Sequence, residues 1–162
     1  MVPWDKRALL DAVVAQIDYE LATMTRIARE AAEGAAHEEN RSEGIKDMRS
    51  TEASYVARGQ AERALDLERS RARLQNFELR SFGASDRIES GAVVQVRHQQ
   101  QSSWYFMLPV AGGRRLEDSG RLVQTITPTS PLGSALLGLG VGDEVEVPAP
   151  TRPKIYQILA IA

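Results

Sequence analysis

The chain has 162 residues, of which 43% are hydrophobic and 26% charged, with a net charge of −2. That is the profile of a soluble globular protein of one domain or two small ones. No cysteine and only two histidines, His37 and His98, are present, which excludes disulfides, thiol nucleophiles, thiolate metal sites and multi-histidine centres. No apolar run nears the roughly 20 residues of a bilayer span, and Met1 to Lys6 lacks the order of a secretory signal. A cytoplasmic protein without membrane contact is the expectation. Charge is unevenly spread: residues 1–82 hold 13 Lys/Arg and 15 Asp/Glu, residues 83–162 hold 7 of each. Two architectures meeting near residue 83 are expected, as domains 1–82 and 83–162.

Residues 5–33 contain neither proline nor glycine. Leu10, Val14, Ile17, Leu21, Met24, Ala28 and Ala31 recur at alternating steps of four and three, the seam of a coiled-coil helix. A second helix is predicted over 51–80, with the small residues Ala57, Ala61 and Ala64 followed by Leu67 and Leu74 on its seam. Gly59 inside it costs about 1 kcal/mol relative to alanine, so this helix relies on a partner. Neither stripe can be buried alone, and one connection between two helices makes an antiparallel pair.

Between the helices, Gly34 to Ser50 reads as the connection, with Gly34 or Gly44 as breakers and Ser42 or Ser50 as caps. Residues 30–52 carry seven acids (Glu30, Glu33, Glu38, Glu39, Glu43, Asp47, Glu52) against Arg41, Lys46 and Arg49. The far end of the hairpin is therefore acidic. Residues 53–80 carry six arginines (58, 63, 69, 71, 73, 80) against four acids. Several of these arginines have Glu62, Asp66 or Glu68 at helical spacing and are expected to pair with them.

After a turn-rich joint at Gly83–Gly91, Ala92–Val96, Ser103–Leu108, Arg121–Ile126, Glu144–Val147 and Lys154–Ile161 have strand composition. His98–Ser102 suits a hairpin loop. Trp104, Tyr105 and Phe106 suit the core and rim of the sheet. Ser130 as cap and Pro131 in the first turn open a short helix stopped by Gly138 or Gly140. The fold class is α+β: an antiparallel helical hairpin, then a small, mostly antiparallel β domain.

The stretch T-I-T-P-T-S-P-L-G-S-A-L-L-G-L-G-V-G-D-E-V-E-V-P-A-P, residues 125–150, followed by I-Y-Q-I-L-A-I, resembles the C-terminal half of the GreA/GreB family of bacterial transcript cleavage factors. The hairpin ahead of it has that family's order and approximate length. Ala28-Arg29-Glu30 and Glu52-Ala53-Ser54-Tyr55-x-Ala57 resemble pieces of its tip region.

The resemblance implies an FKBP-like C-terminal domain that docks on RNA polymerase at the mouth of its secondary channel, with Ser130, Pro131, Leu132 and Gly133 in the docking surface. It implies a coiled coil that enters the channel as a monomeric factor and brings acids to the active centre. There the polymerase, not the factor, hydrolyses backtracked RNA. A second magnesium ion held by carboxylates fits two-metal phosphodiester cleavage, and magnesium takes few protein carboxylates. By alignment on Tyr55, Glu52 matches the family's glutamate, whereas Arg49 stands where its aspartate would be, and the tip holds no Asp-x-x-Glu. Asp47 and Glu52 are the first candidates for the catalytic and metal-sharing acids, and Glu38, Glu39 and Glu43 the second. Arg58 and Arg63 are the candidates for contact with the 3′ end of the nascent RNA.

Two rival readings follow. The missing Asp-x-x-Glu supports a regulator or inhibitor that occupies the channel without stimulating cleavage. An FKBP-like domain alone suggests a prolyl isomerase, but fold does not carry function.

Overall fold

Asp5 starts the first helix: its carboxylate accepts from the Ala8 N–H at 2.9 Å and its carbonyl from the Leu9 N–H at 3.0 Å, satisfying donors that a helix start leaves open. The computed structural model describes residues 3–39 and 47–162. Helix α1 spans Lys6–Glu39 and α2 spans Asp47–Gln75. The 34 residues of α1 amount to about 51 Å at 1.5 Å per residue. Helix α1 does not stop at Gly34, where the sequence offered a breaker. One mid-helix glycine costs about 1 kcal/mol but removes no hydrogen bond. Helix α2 ends five residues before the predicted Arg80, because Asn76 turns and the Phe77 N–H closes onto the Leu74 carbonyl at 3.1 Å.

The helix seam is graded. Leu10, Ile17 and Leu74 are buried, Val14, Leu21, Met24, Ala64 and Leu67 are half-buried, and Ala28, Ala31, Ala57 and Ala61 are exposed. Contacts divide the chain into two compact units: Val14–Ala72, and Met1–Val13 with Arg73–Ala162. The roots of both helices thus belong with the sheet, ahead of the change in composition at residue 83.

The sheet has six strands: β1 Val93–His98, β2 Gln101–Met107, β3 Arg115–Asp118, β4 Arg121–Ile126, β5 Glu144–Val147 and β6 Lys154–Ile161. Their order is β3-β4-β2-β1-β6-β5. All neighbours are antiparallel except β2 and β4, which pair in parallel through Tyr105↔Gln124 to Met107↔Ile126. The β1–β2 loop is shorter than predicted: His98 pairs with Gln101, leaving only Gln99 and Gln100 to turn. Strand β3 was not legible in the sequence. It is a short edge strand with one buried side chain, Leu116, joined to β4 through Ser119 and Gly120, both at positive φ (53° and 78°), as a two-residue hairpin demands.

One face of the sheet packs Val94, Val96, Met107, Ile126, Ile158 and Ile161 with Leu136 of α3 (Pro131–Leu136) and with Ile88 and Ala92. Trp104 and Phe106, alternating with Tyr105 and Met107, point to the other face. Phe106 is fully buried there, and Trp104 meets Trp4 edge-on with ring centroids 5.0 Å apart. Trp4 is 8% exposed. The Arg121 guanidinium lies over its ring at 3.7 Å and is paired with Asp118 at 2.9 Å. The buried Leu9, Leu10, Val13 and Leu74 belong to this same unit.

Beside the start of α1, the Lys6 ammonium sits 4.5 Å from the centre of the Phe82 ring and donates to the Arg80 carbonyl at 3.1 Å. The Arg80 guanidinium lies on the same ring at 3.7 Å and pairs with Glu89 at 3.1 Å and Asp86 at 3.9 Å. Burial, and secondly the Arg80 charge, lower the Lys6 pKa from 10.5 to about 8.

Helix α3 fits its place through Ser130 and Gly133. The Ser130 hydroxyl donates to the Thr127 carbonyl at 2.8 Å and accepts from the Gly133 N–H at 3.1 Å. A Cβ at position 133 would stand 1.9 Å from the Thr127 carbonyl oxygen. Gly133→Ala is therefore expected to destabilise the fold by about 2–3 kcal/mol or more in urea denaturation, because backbone and not a flexible side chain blocks the methyl group. The depressed Lys6 pKa gives a second expectation. Between about pH 8 and 10.5 the unfolded chain holds a proton at Lys6 that the native chain has lost, so stability rises with pH across that window and is lost again as pH falls through 8. Urea titrations at pH 7 and pH 10 should show this gain in the native sequence and a smaller one in Lys6→Met.

Candidate functional site

The acids singled out in the sequence fall at the junction of α1 and α2. Glu52 lies in the second turn of α2 and is exposed. Among the described residues it has no ion-pair partner. Tyr55 and Arg58 follow it at steps of three along the same side of α2; Tyr55 is 69% exposed and Arg58 is exposed. An acid, a phenol and a guanidinium therefore line one flank of α2 near its start. The side chains of Asp47, Glu38 and Glu39, and all of Glu43, lie outside the described residues. Among the described residues no three His, Asp or Glu side chains cluster to hold a metal. Glu52 offers one oxygen-donor group of the type magnesium takes, and one carboxylate completes a shared ion but does not hold one alone.

The arginines of α2 behave differently from their sequence spacing. Arg69 keeps a helical-spacing partner, Asp66 at 3.5 Å. Arg63 instead reaches across to Glu20 of α1 at 3.5 Å, and Arg71 to Asp18. The later arginine meets the earlier acid, so the pair of helices is antiparallel. The role of Asp18 and Glu20 follows from the register between helices, which no local pattern reveals. Of the two arginines expected to meet RNA, Arg63 is thus engaged with Glu20, whereas Arg58 has no ion pair among the described residues. Tyr19 (75% exposed), Ile27, Val56 and Leu65 add apolar surface off the seam of the two helices.

In the sheet unit, Ser130 to Gly133 separate into two roles. Ser130 and the buried Gly133 build the helix start, as described above. Leu132 is half-buried against the core, and Pro131 is exposed. Beside them Leu137, at the end of α3, is 45% exposed and Val141 is 41% exposed. These two apolar side chains are the part of the α3 surface that the sequence reading missed; their signal was a leucine and a valine next to turn glycines. His98 is half-buried, its Nδ1 2.8 Å from the Ile155 carbonyl and its ring 5.1 Å from that of Tyr156. The depression beside it, of about 430 Å³, is edged by Arg97, Glu144 and Arg152. A second one, of about 550 Å³, opens where β2 and β4 stop pairing and is lined by Trp104, Tyr105, Leu122 and Gln124 among others. Neither holds the nucleophile–base–orienter set of a hydrolase.

Comparison with known proteins gives one family model and several similar solved structures. Residues 83–162 match the family model described as "Transcription elongation factor, GreA/GreB, C-term". No curated protein matches the sequence. Among solved structures, the chain is similar to Gfh1 of Thermus aquaticus, with 19% identity, 96% of this chain and 92% of that one covered, and a TM-score of 0.38. Similarity to the GreA factor homolog 1 (Gfh1) protein of Thermus thermophilus stands at 18% identity, 92% and 94% coverage and a TM-score of 0.38. A GreA/GreB elongation factor from Nitrosomonas europaea aligns at 23% identity over 59% of this chain and 78% of that one, with a TM-score of 0.34.

The cross-helix pairs are surface pairs, with the Arg63 side chain 66% and the Glu20 side chain 33% exposed. A double-mutant cycle with Arg63→Ala and Glu20→Ala should return a coupling below about 1 kcal/mol. The antiparallel register then rests on the buried seam and not on charge.

Proposed function

Because the chain belongs to the GreA/GreB family of transcription elongation factors, we propose that it binds RNA polymerase and stimulates the polymerase's own cleavage of backtracked RNA. The sheet unit docks on the polymerase, with exposed Pro131 and Leu137 on α3 in the docking surface. The helical pair enters the secondary channel, and its acidic end approaches the active centre. The observation that carries this reading is the union, in one chain, of that C-terminal domain with an antiparallel helix pair whose junction is rich in acids. Small alanines on the outer seam suit a helix pair that must pass a narrow opening.

In this reading Glu52, with Asp47, supplies carboxylate oxygens to a magnesium ion shared with the polymerase. Glu38, Glu39 and Glu43 are the second choice. The shared ion supplies charge neutralisation at the scissile phosphate. Arg58, three and six residues beyond Tyr55 and Glu52 on one flank, contacts a phosphate of the RNA 3′ segment. Arg63 does so only if it leaves Glu20. The factor performs no hydrolysis of its own.

A specific feature favours a second reading. The junction has no Asp-x-x-Glu, and a channel-occupying regulator needs no such pair. The two readings separate in one experiment on stalled elongation complexes carrying 3′-labelled RNA. Cleavage stimulated by the native protein, and lowered about 10–100-fold by Asp47→Ala with Glu52→Ala while polymerase binding holds, supports the first. Binding with slowed nucleotide addition and no cleavage at any magnesium level supports the second.

A further inference from the structure

Only three lysines occur among the 20 basic residues: Lys6, Lys46 and Lys154. Lys6 is half withdrawn from water and shares its place with a second cation, and both disfavour its ammonium. Its amine lies against the Phe82 ring at the first turn of α1, where the helix end is itself positive. The guanidinium of Arg80 shares that ring. The carboxylates of Asp86 and Glu89 face Arg80, and that of Asp5, next in the chain, is turned to the Ala8 N–H. Lys154, by contrast, is an exposed strand residue.

We propose that Lys6 is an acylation site, its amine reacting with small activated acyl groups carried as acyl phosphates or thioesters. A lysine partly withdrawn from water beside another cation is an activated nucleophile. The Lys6 side chain remains half-exposed, so a small donor reaches it. The neutral amine attacks the acyl carbonyl, a C–N bond forms, and the C–O or C–S bond breaks. Phosphate or thiolate departs with the electron pair, and the amine proton passes to water. The resulting amide keeps one N–H to donate to the Arg80 carbonyl, so the hydrogen bond survives. What disappears is the positive charge beside Arg80.

With a pKa of about 8, about half of Lys6 is neutral at pH 8, against under about 1% of an ordinary lysine near 10.4. The test incubates the full chain with acetyl phosphate and, separately, with a small acetyl thioester, and follows each lysine by peptide mass spectrometry from pH 6.5 to 10.5. Lys6 should be labelled at least ~10-fold faster than Lys154 at pH 8, with half-maximal rate near pH 8. Arg80→Gln, which leaves Asp86 and Glu89 facing the amine, should slow Lys6 and leave Lys154 unchanged. Labelling by both donors supports the proposal, and labelling by acetyl phosphate alone supports it with the acyl phosphate as the donor. Equal rates and parallel pH profiles for Lys6 and Lys154 overturn it, and that result in the native sequence does not depend on how well the variant folds.

Discussion

A six-stranded sheet with two apolar faces needs two covers, and the β domain carries only one helix, the six residues of α3. That helix closes the face formed by Val94, Val96, Met107 and Ile158. The other face, with Phe106 and Trp104, takes its cover from outside the 83–162 stretch. Trp4 reaches Trp104 directly, and Leu9, Leu10, Val13 and Leu74 are buried in the same compact unit. Each such side chain is worth about 1.5–3 kcal/mol of burial. The helix roots are thus structural parts of the sheet domain.

Arginine on an aromatic face recurs at that junction. Arg121 covers Trp4 and Arg80 covers Phe82, each held in place by an acid: Asp118 for the first, Glu89 and Asp86 for the second. A planar guanidinium can stack face-on and still keep its in-plane hydrogen bonds. Where the chain places a lysine in the same company, at Lys6, the ammonium is held at a lowered pKa. The chemical individuality of that amine is a by-product of how the helix root is packed.

Along the helices, the seam passes from buried leucine and isoleucine to exposed alanine. The energy holding the pair is concentrated near Leu10, Ile17 and Leu74, since the charged pairs farther along are solvent-screened. Small side chains at the outer seam keep the pair narrow at the cost of burial.

Most elements were legible because their signals are local. The four-and-three seam of α1, the alternation of Glu144–Val147, and the Ser130-Pro131 start of α3 each reflect a periodicity or a cap that neighbouring residues alone impose. Strand β3 escaped because Arg115-Leu-Glu-Asp has one apolar residue and gains its place only by pairing with β4. Residues 76–80 kept a helical composition, yet left the helix for a turn at Asn76, and Phe77 went to pack beside Gly91. Of the candidate site, the identity of Glu52 and Arg58 and their common flank follow from sequence spacing. The engagement of Arg63 and Arg71 with Glu20 and Asp18 depended on the register of two helices about forty residues or more apart in the chain. By itself the sequence determined the helices, most strands, the family and the acidic character of the hairpin's far end. Tertiary structure alone decided which cations are taken, that Trp4 completes a sheet face, and that Lys6 shares a ring with Arg80. These depend on groups distant in sequence meeting in space, and local chemistry carries no record of such meetings.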